Sequence, residues 1–512
     1  MTAPLAGEPG DATPATGLRH ELRRRHMTMI ALGGVIGAGL FVGSGVVIKS
    51  AGPAAVLSFM LTGVLVVLVM RMLAEMAVAI PAVGSFYEYA RLAFADRPAL
   101  GDLAGFLSGW MYWYFWVIVV AVEAVAGAAI LQRWIPAPVW MIGLVLLSVM
   151  TAINLMSVKS YGEFEYWFAS IKIAAIIVFI VVCASYLIGF SSWHDTATHL
   201  TGDRGFLPFG AMSIFAGVPT VIFAVGGAEI ATIAAAESDD PSKSVAAMTR
   251  SVILRVITFY VGSMFVIACI VPWAQIKVGY SPFVSALEMM HITGAADIMN
   301  AIVLVAVLSA LNSGLYVSSR ILFRLAERHD APSALLKLSP HKVPRFGVLL
   351  SSVVGYIAII AAIVSPKGVF LYLVNASGAI MLFVYLAISV SQIRIRRRIE
   401  ASAPERLTLK MWLFPWLSYA VVAAIAGVLI AMGFDRSLAS QLMTSLGSLV
   451  VVSIAYLLTR KQRERGVRAP GDAQEQPDAP SRAQARPDFA RSVRNDAGGH
   501  PLPVTTATHW KK

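Results

Sequence analysis

Gly33-Gly34-Val35-Ile36-Gly37-Ala38-Gly39-Leu40-Phe41-Val42-Gly43-Ser44-Gly45 lies inside the first long apolar segment of the chain. Each glycine lowers helix stability by roughly 1 kcal/mol relative to alanine, so a plain membrane anchor has no use for so many. In lipid, a broken helix is tolerated only where its freed backbone groups face protein or a water-filled cavity. The stretch therefore reads as a discontinuous helix whose open amides and carbonyls bind a solute. Close helix packing is the rival reading, because Gly33/Gly37 and Gly39/Gly43 both have GxxxG spacing.

The surroundings place this stretch in a membrane. The 512 residues are 57% hydrophobic and 14% charged, with mean hydropathy +0.72, and apolar runs of about 20 residues recur along most of the chain. The fold class is an all-α polytopic membrane protein with about twelve spans, near 27–47, 54–80, 102–131, 139–158, 163–189, 210–236, 252–273, 297–324, 347–364, 368–391, 413–433 and 438–459. Glu88, Arg91, Asp96 and Arg97 mark a short surface helix between the second and third spans. A net charge of +12 would suggest nucleic acid in a soluble protein, but here the basic residues lie between spans and in the tails. No nucleic-acid partner is expected. Arg91, Arg97, Lys159, Lys243, Arg250, Arg328–Arg345 and Arg394–Lys410 gather in one set of connections, and the positive-inside rule makes that set and both termini cytoplasmic. Residues 1–26 form an N-terminal tail, 27–459 the membrane domain, and 460–512 a polar tail that buries too little apolar area to fold alone. The tail's basic start, Arg460–Arg463, suits anionic lipid headgroups. Cys183 and Cys269 sit in apolar runs without ligand spacing, which points to reduced buried thiols, no metal and no cofactor.

A second break lies in the sixth span, at Val218-Pro219-Thr220-Val221-Ile222-Phe223-Ala224-Val225-Gly226-Gly227-Ala228-Glu229. Pro219 removes a backbone donor, Gly226-Gly227 loosens the helix, and Glu229 sets a carboxylate at membrane depth. Breaks in spans one and six are the signature of two inverted repeats, with the binding site where the repeats meet. The helix restarting near Ala38-Gly39-Leu40 offers amides and a positive dipole end to an anion. Carbonyls near Phe223, Ala224 and Val225 offer acceptors to a cation, with Phe223 a candidate aromatic gate. A small zwitterionic amino acid satisfies both. In this reading Gly33 and Gly43–Gly45 serve packing, while Ile36–Leu40 is the cradle.

These residues carry a resemblance. The chain resembles bacterial amino acid permeases of the amino acid–polyamine–organocation (APC) superfamily, and among them the gamma-aminobutyrate permeases. The likeness runs from about Arg25 to Arg460. It rests on the span-one stretch, on Met70-Arg71-Met72-Leu73-Ala74-Glu75 of span two, and on Trp110–Trp116 with Glu123. Tyr161-Gly162-Glu163-Phe164-Glu165-Tyr166-Trp167, Gly227–Asp239 and Leu311–Tyr316 complete it. The resemblance implies a LeuT-like five-plus-five inverted repeat with two extra helices, and alternating-access amino acid uptake driven by protons across the plasma membrane. It also implies that Ala38, Gly39 and Leu40 hold the substrate carboxylate, while carbonyls of Val35 and of Phe223–Val225 meet the amine. Glycine at position 39 follows the general amino acid permease pattern. A broad-specificity, proline, aromatic or neutral amino acid permease, or an exchanger, is therefore the alternative.

Ionisable groups inside the membrane are costly and mark function. In related transporters a lysine at the position of Lys172 replaces a sodium ion between spans one and eight. Lys172 is thus the candidate proton-coupling group, with a structural lysine holding span-one carbonyls as the alternative. Glu229 links a gate or meets the amine, and Glu123 faces the bundle interior. Asn312 and Ser313 are candidate partners of Lys172 or of span one. Arg71 and Glu75, four apart, are expected to pair, and Trp110–Trp116 is expected to form an interfacial aromatic belt. Enzyme signatures fail in detail: Arg24 stands where His20-Glu21 would need a second zinc-binding histidine, and Val42 stands where a dinucleotide loop needs its last glycine. Nothing resembles a channel filter. A transporter-like sensor stays open.

Overall fold

A computed structural model describes residues 36–81, 86–156, 158–189, 193–202, 204–230, 232 and 241–467. Every regular element among them is helical, and nine of the helices are long and apolar enough to cross a membrane. Each expected span overlaps a helix. A π-helical turn, Gly39–Gly43, leads into α1 (Ser44–Ala51). The chain turns at Gly52, whose φ of 65° is open to glycine and whose Cβ would lie 2.4 Å from Pro208. Then come α2 (Ala55–Ala79), the short helix α3 (Phe86–Ala93), α4 (Pro98–Leu131), α5 (Val139–Met156), α6 (Val158–Gly189) and α7 (Trp193–Thr201). Helix α3 is buried rather than on the surface as expected, because it packs on two long helices. The sixth span holds α8 (Met212–Ala216) and α9 (Val218–Val225), and the seventh holds α10 (Pro241–Arg255), a π-helical turn at Val256–Gly262, and α11 (Ser263–Ile270). The remainder is α12 (Pro282–Met289), α13 (Ala295–Glu327), α14 (Arg345–Ala361), α15 (Pro366–Ser402), α16 (Trp416–Phe434) and α17 (Arg436–Val467). Thus α17 runs past the expected start of the polar tail, and residues 1–35 and 468–512 lie outside the described residues.

Burial separates centre from rim. In α4, 78% of the apolar window is buried, against 22% in α6 and 17% in α17. An all-round apolar helix that is buried belongs to the core, whereas one that exposes Val178, Val181 and Ile188 belongs against lipid. The centre is α4 packed on α13, α14 and α15, with α9 seated between α2 and α15. Small residues permit this closeness, as expected where lipid supplies no hydrophobic drive between helices. A Cβ on Gly378 of α15 would lie 1.9 Å from the Pro219 carbonyl oxygen.

Candidate substrate site

The two broken segments meet. A Cβ on Gly39 would lie 2.6 Å from Ala224 Cα and 3.1 Å from the Phe223 ring, so only glycine lets span one reach span six here. Gly37 is equally confined, at 2.4 Å from Glu123 Oε1 and 2.5 Å from Ala310 Cβ. Gly43 and Gly45 stand at 3.3 Å or more from their neighbours. This corrects the expected division: the tightest glycines lie within the cradle, and Gly43–Gly45 are the looser ones. Close packing and the break occupy the same residues. Val35, proposed for the amine, lies outside the described residues, as does Gly33.

At both segments, backbone groups that no helix satisfies are held by side chains. In span one, Ala38 N donates to both carboxylate oxygens of Glu123 at 3.0 Å, and Phe41 N makes the helical bond to Gly37 O at 3.2 Å. The expected anion site at Ala38 is thus filled by the protein's own Glu123 carboxyl group at a helix N-terminus. In span six the helix stops as Gly226 turns extended (ψ 151°) and Gly227 takes φ 99°. Gly227 N then turns from Phe223 O to Glu229, at 3.0 and 3.1 Å from its two oxygens. Phe223 O is left without its helical donor among the described residues. Ala224 O, which loses Ala228 as donor, accepts from Tyr260 Oη at 2.7 Å. Ile36, Ala38 and Leu40 have no exposed surface, and Phe223 is 5% exposed. The cradle is closed.

Glu229 is fixed by a second bond, from Tyr112 Oη at 2.9 Å, and the buried Arg255 is close enough to act on it electrostatically. Lys172 is fully buried and donates to Ser309 Oγ at 2.8 Å, with Glu165 Oε1 at 3.7 Å. Ser309 Oγ donates in turn to Glu165 Oε1 at 2.6 Å. Asn312 instead accepts from Asn154 Nδ2 at 2.7 Å, and Ser313 faces Glu165. The lysine's partner on span eight is therefore Ser309, one turn before the expected pair. Sequence reasoning missed Glu165, Ser309, Tyr260 and Arg255. Glu165 carried a usable signal: seven residues before Lys172 is two helical turns, the same face.

Two further expectations change. Arg71 donates to Lys410 O at 3.0 and 2.7 Å and stacks on Trp412, while Glu75 pairs with Arg396 at 2.5 Å and accepts from Gln392 at 2.8 Å. An i,i+4 pair on one helix loses to partners on another because burial demands a fully bonded Glu75. The Trp110–Trp116 cluster faces inward, with Tyr112, Phe115 and Trp116 buried and Trp110 Nε1 donating to Asp330 O at 3.1 Å. It walls the span-six break, since Phe115 Cζ would lie 2.8 Å from a Cβ on Gly226. Cys183 and Cys269 are free and buried.

Two irregular segments meeting inside a bundle of membrane-length apolar helices define a multi-pass membrane protein. The chain belongs to the amino acid permease family, whose profile matches residues 26–468. It is 48% identical to the gamma-aminobutyric acid permease of Bacillus subtilis over 90% of this chain and 98% of that one. It is 44% identical to the gamma-aminobutyric acid permease of Escherichia coli over 81% of this chain and 88% of that one. The aromatic amino acid transport protein AroP of Corynebacterium glutamicum is 40% identical, over 89% and 98%. These relatives are permeases rather than enzymes.

Proposed function

We propose that the chain imports gamma-aminobutyrate or a closely related amino acid across the bacterial plasma membrane, by alternating access and in symport with protons. The observation that carries this reading is the junction of the two breaks. Within it stand a helix N-terminus, at Ala38, and a carbonyl without its helical donor, at Phe223, with Gly39 and Ala224 in contact between them. A carboxylate at the first and an ammonium at the second satisfy both. The substrate carboxylate displaces Glu123 from Ala38 and takes the amides of Gly39 and Leu40. The amine lies against the carbonyls of Val35 and of Phe223 to Val225, under the Phe223 ring, and Gly227 gives the hinge. Glu229 ties that hinge to span three through Tyr112.

Lys172 is the proton-coupling group and Glu165 its counter-charge. A proton arriving at or leaving this buried pair changes the net charge between spans five and eight. Asn312 and Ser313 hold the same face of span eight. The names of two relatives favour gamma-aminobutyrate, and the arginine-rich connections favour cytoplasmic termini.

The test is uptake of labelled gamma-aminobutyrate by reconstituted protein under an imposed proton gradient, with and without sodium, against a panel of unlabelled amino acids. Accumulation that follows the proton gradient alone is expected. Uptake indifferent to the gradient would overturn symport, and failure of gamma-aminobutyrate to compete would make another amino acid the substrate.

A further inference from the structure

A cavity of about 460 Å³ lies beside the closed cradle, within the roughly 300–1,000 Å³ range of small-molecule sites. Its walls come from the end of α1, the start of the sixth span, the start of α15, and the turn between α16 and α17. This is the side away from the arginine-rich connections. Lys49 and Asp435 are its charged lining residues, and Thr220 and Asn375 line it as well. Lys49 is exposed, whereas Thr220 is 1% and Asn375 4% exposed, so the lysine stands at the mouth and the other two at the floor.

The floor is a built structure. Thr220 Oγ1 donates to Asn375 Oδ1 at 2.7 Å. Gly378 lies one turn along α15 on the same face, where it admits the Pro219 carbonyl and brings the two helices together. That bond uses the acceptor of the Asn375 amide. Its nitrogen, with two N–H donors, has no hydrogen-bond partner among the described residues, although the residue is almost wholly buried. The Asn375 amide therefore faces the cavity with both N–H donors open to an acceptor. Lys49 Nζ spends one bond on Ala274 O at 3.0 Å and sits 5.8 Å from the centre of the Trp273 ring. The Asn375 amide at the floor and Lys49 at the mouth are donors, whereas Asp435 adds a carboxylate to the lining. Beyond the floor, one turn further along α9, begins the break at Phe223.

We propose that this cavity is an outer capture site for the carboxylate end of the incoming amino acid, bound by the Asn375 amide nitrogen and drawn in by Lys49. It is distinct from the cradle at the breaks. The Thr220–Asn375 pair separates the two sites, so a substrate held here waits against the barrier it must next pass. The proposal rests on the import reading above.

Asn375→Asp tests it. The substitution keeps an oxygen to accept from Thr220 and replaces the donor by a negative charge that repels a carboxylate. In reconstituted protein, KM for gamma-aminobutyrate should rise about tenfold or more with the maximal rate within about twofold. Inhibition by butyrate, which has only the carboxylate, should weaken to match, while inhibition by butylamine should persist. Asn375→Ser, which returns a donor, should restore most of the affinity and serves if the aspartate variant fails to assemble. An unchanged KM, or a fall in maximal rate alone, would overturn the capture site and leave the import reading standing. Wild-type protein that accumulates no gamma-aminobutyrate would overturn both.

Discussion

Both carboxylate oxygens of Glu123 lie 3.0 Å from the backbone nitrogen of Ala38, tying α4 to the first helical turn described in span one. The bond supplies a partner to a donor that no helix satisfies. It also sets a carboxyl group where the substrate's carboxylate is proposed to sit. Closed and loaded states then share one donor, and Glu123 holds it until substrate arrives. Glu123→Ala should lower stability by about 1–3 kcal/mol, the cost of leaving a buried donor unmet, and reduce uptake more than tenfold. Glu123→Gln, which keeps one acceptor, should fall between. Thermal melting in detergent and initial uptake rates measure the two effects, and a silent Glu123→Ala would show that the bond serves neither.

Gly37 explains why that bond can form at all. An added methyl would stand 2.4 Å from Glu123 Oε1 and 2.5 Å from Ala310 Cβ. The Ala310 contact belongs to α13, which packs along the length of α4. Gly37→Ala should therefore displace the carboxylate, at the roughly 1–3 kcal/mol typical of an overpacked core. Its uptake defect should resemble that of Glu123→Ala, and the double variant should be little worse than either single one. Additive losses would separate the two residues.

Lys172 and Glu165, both without exposed surface, form a buried pair shared with Ser309. Removing one partner of such a pair leaves an uncompensated charge, at roughly 3–5 kcal/mol. Lys172→Ala should accordingly lose gradient-driven accumulation and melt well below wild type. Pairing it with Glu165→Gln should recover most of the melting temperature without recovering accumulation. That split separates coupling from folding. Accumulation restored together with stability would reduce Lys172 to a structural role.

The parts of this site that were legible in the sequence are those written in local backbone chemistry. Gly226-Gly227 ends α9 through an extended ψ and a positive φ that suit glycine, so that break could be read without a fold. Partner choice could not. Glu75 and Arg396 are 321 positions apart in the chain, and nothing local says that Arg396 leaves the basic run Arg394–Arg398 to meet a buried carboxylate. Those arginines read as an orientation signal, yet Arg394 also binds Asp96 at 2.8 Å. Ser309 rather than Ser313 meets Lys172 because helix rotation, which packing on α4 and α6 decides, selects between turns of one face. Tyr260 was hidden for another reason. It lies in a π-helical turn, whose extra residue shifts the register that an α-helical reading assumes.

Glu88, on the short helix α3, yields a prediction in pH. Its carboxylate is largely buried, with Arg328 Nε at 3.4 Å and Arg91 Nε at 3.8 Å. Burial pushes the Glu88 carboxyl above its ordinary 4.5, and Asp330 and Asp102 push the same way, while Arg328 and Arg91 pull it back without cancelling the rise. An acid whose folded value is raised favours the fold while it is protonated. That contribution is full below about 4.5 and is lost as pH rises through the higher folded value. At neutral pH the ionised Glu88 is therefore a net burden on the helix it belongs to. Glu88→Gln should melt at or above wild type at pH 7.5, and the gap should close as pH falls toward 4.5. Melting curves across that window decide the matter. A variant less stable than wild type at pH 7.5 would show that the pairs with Arg91 and Arg328 outweigh burial.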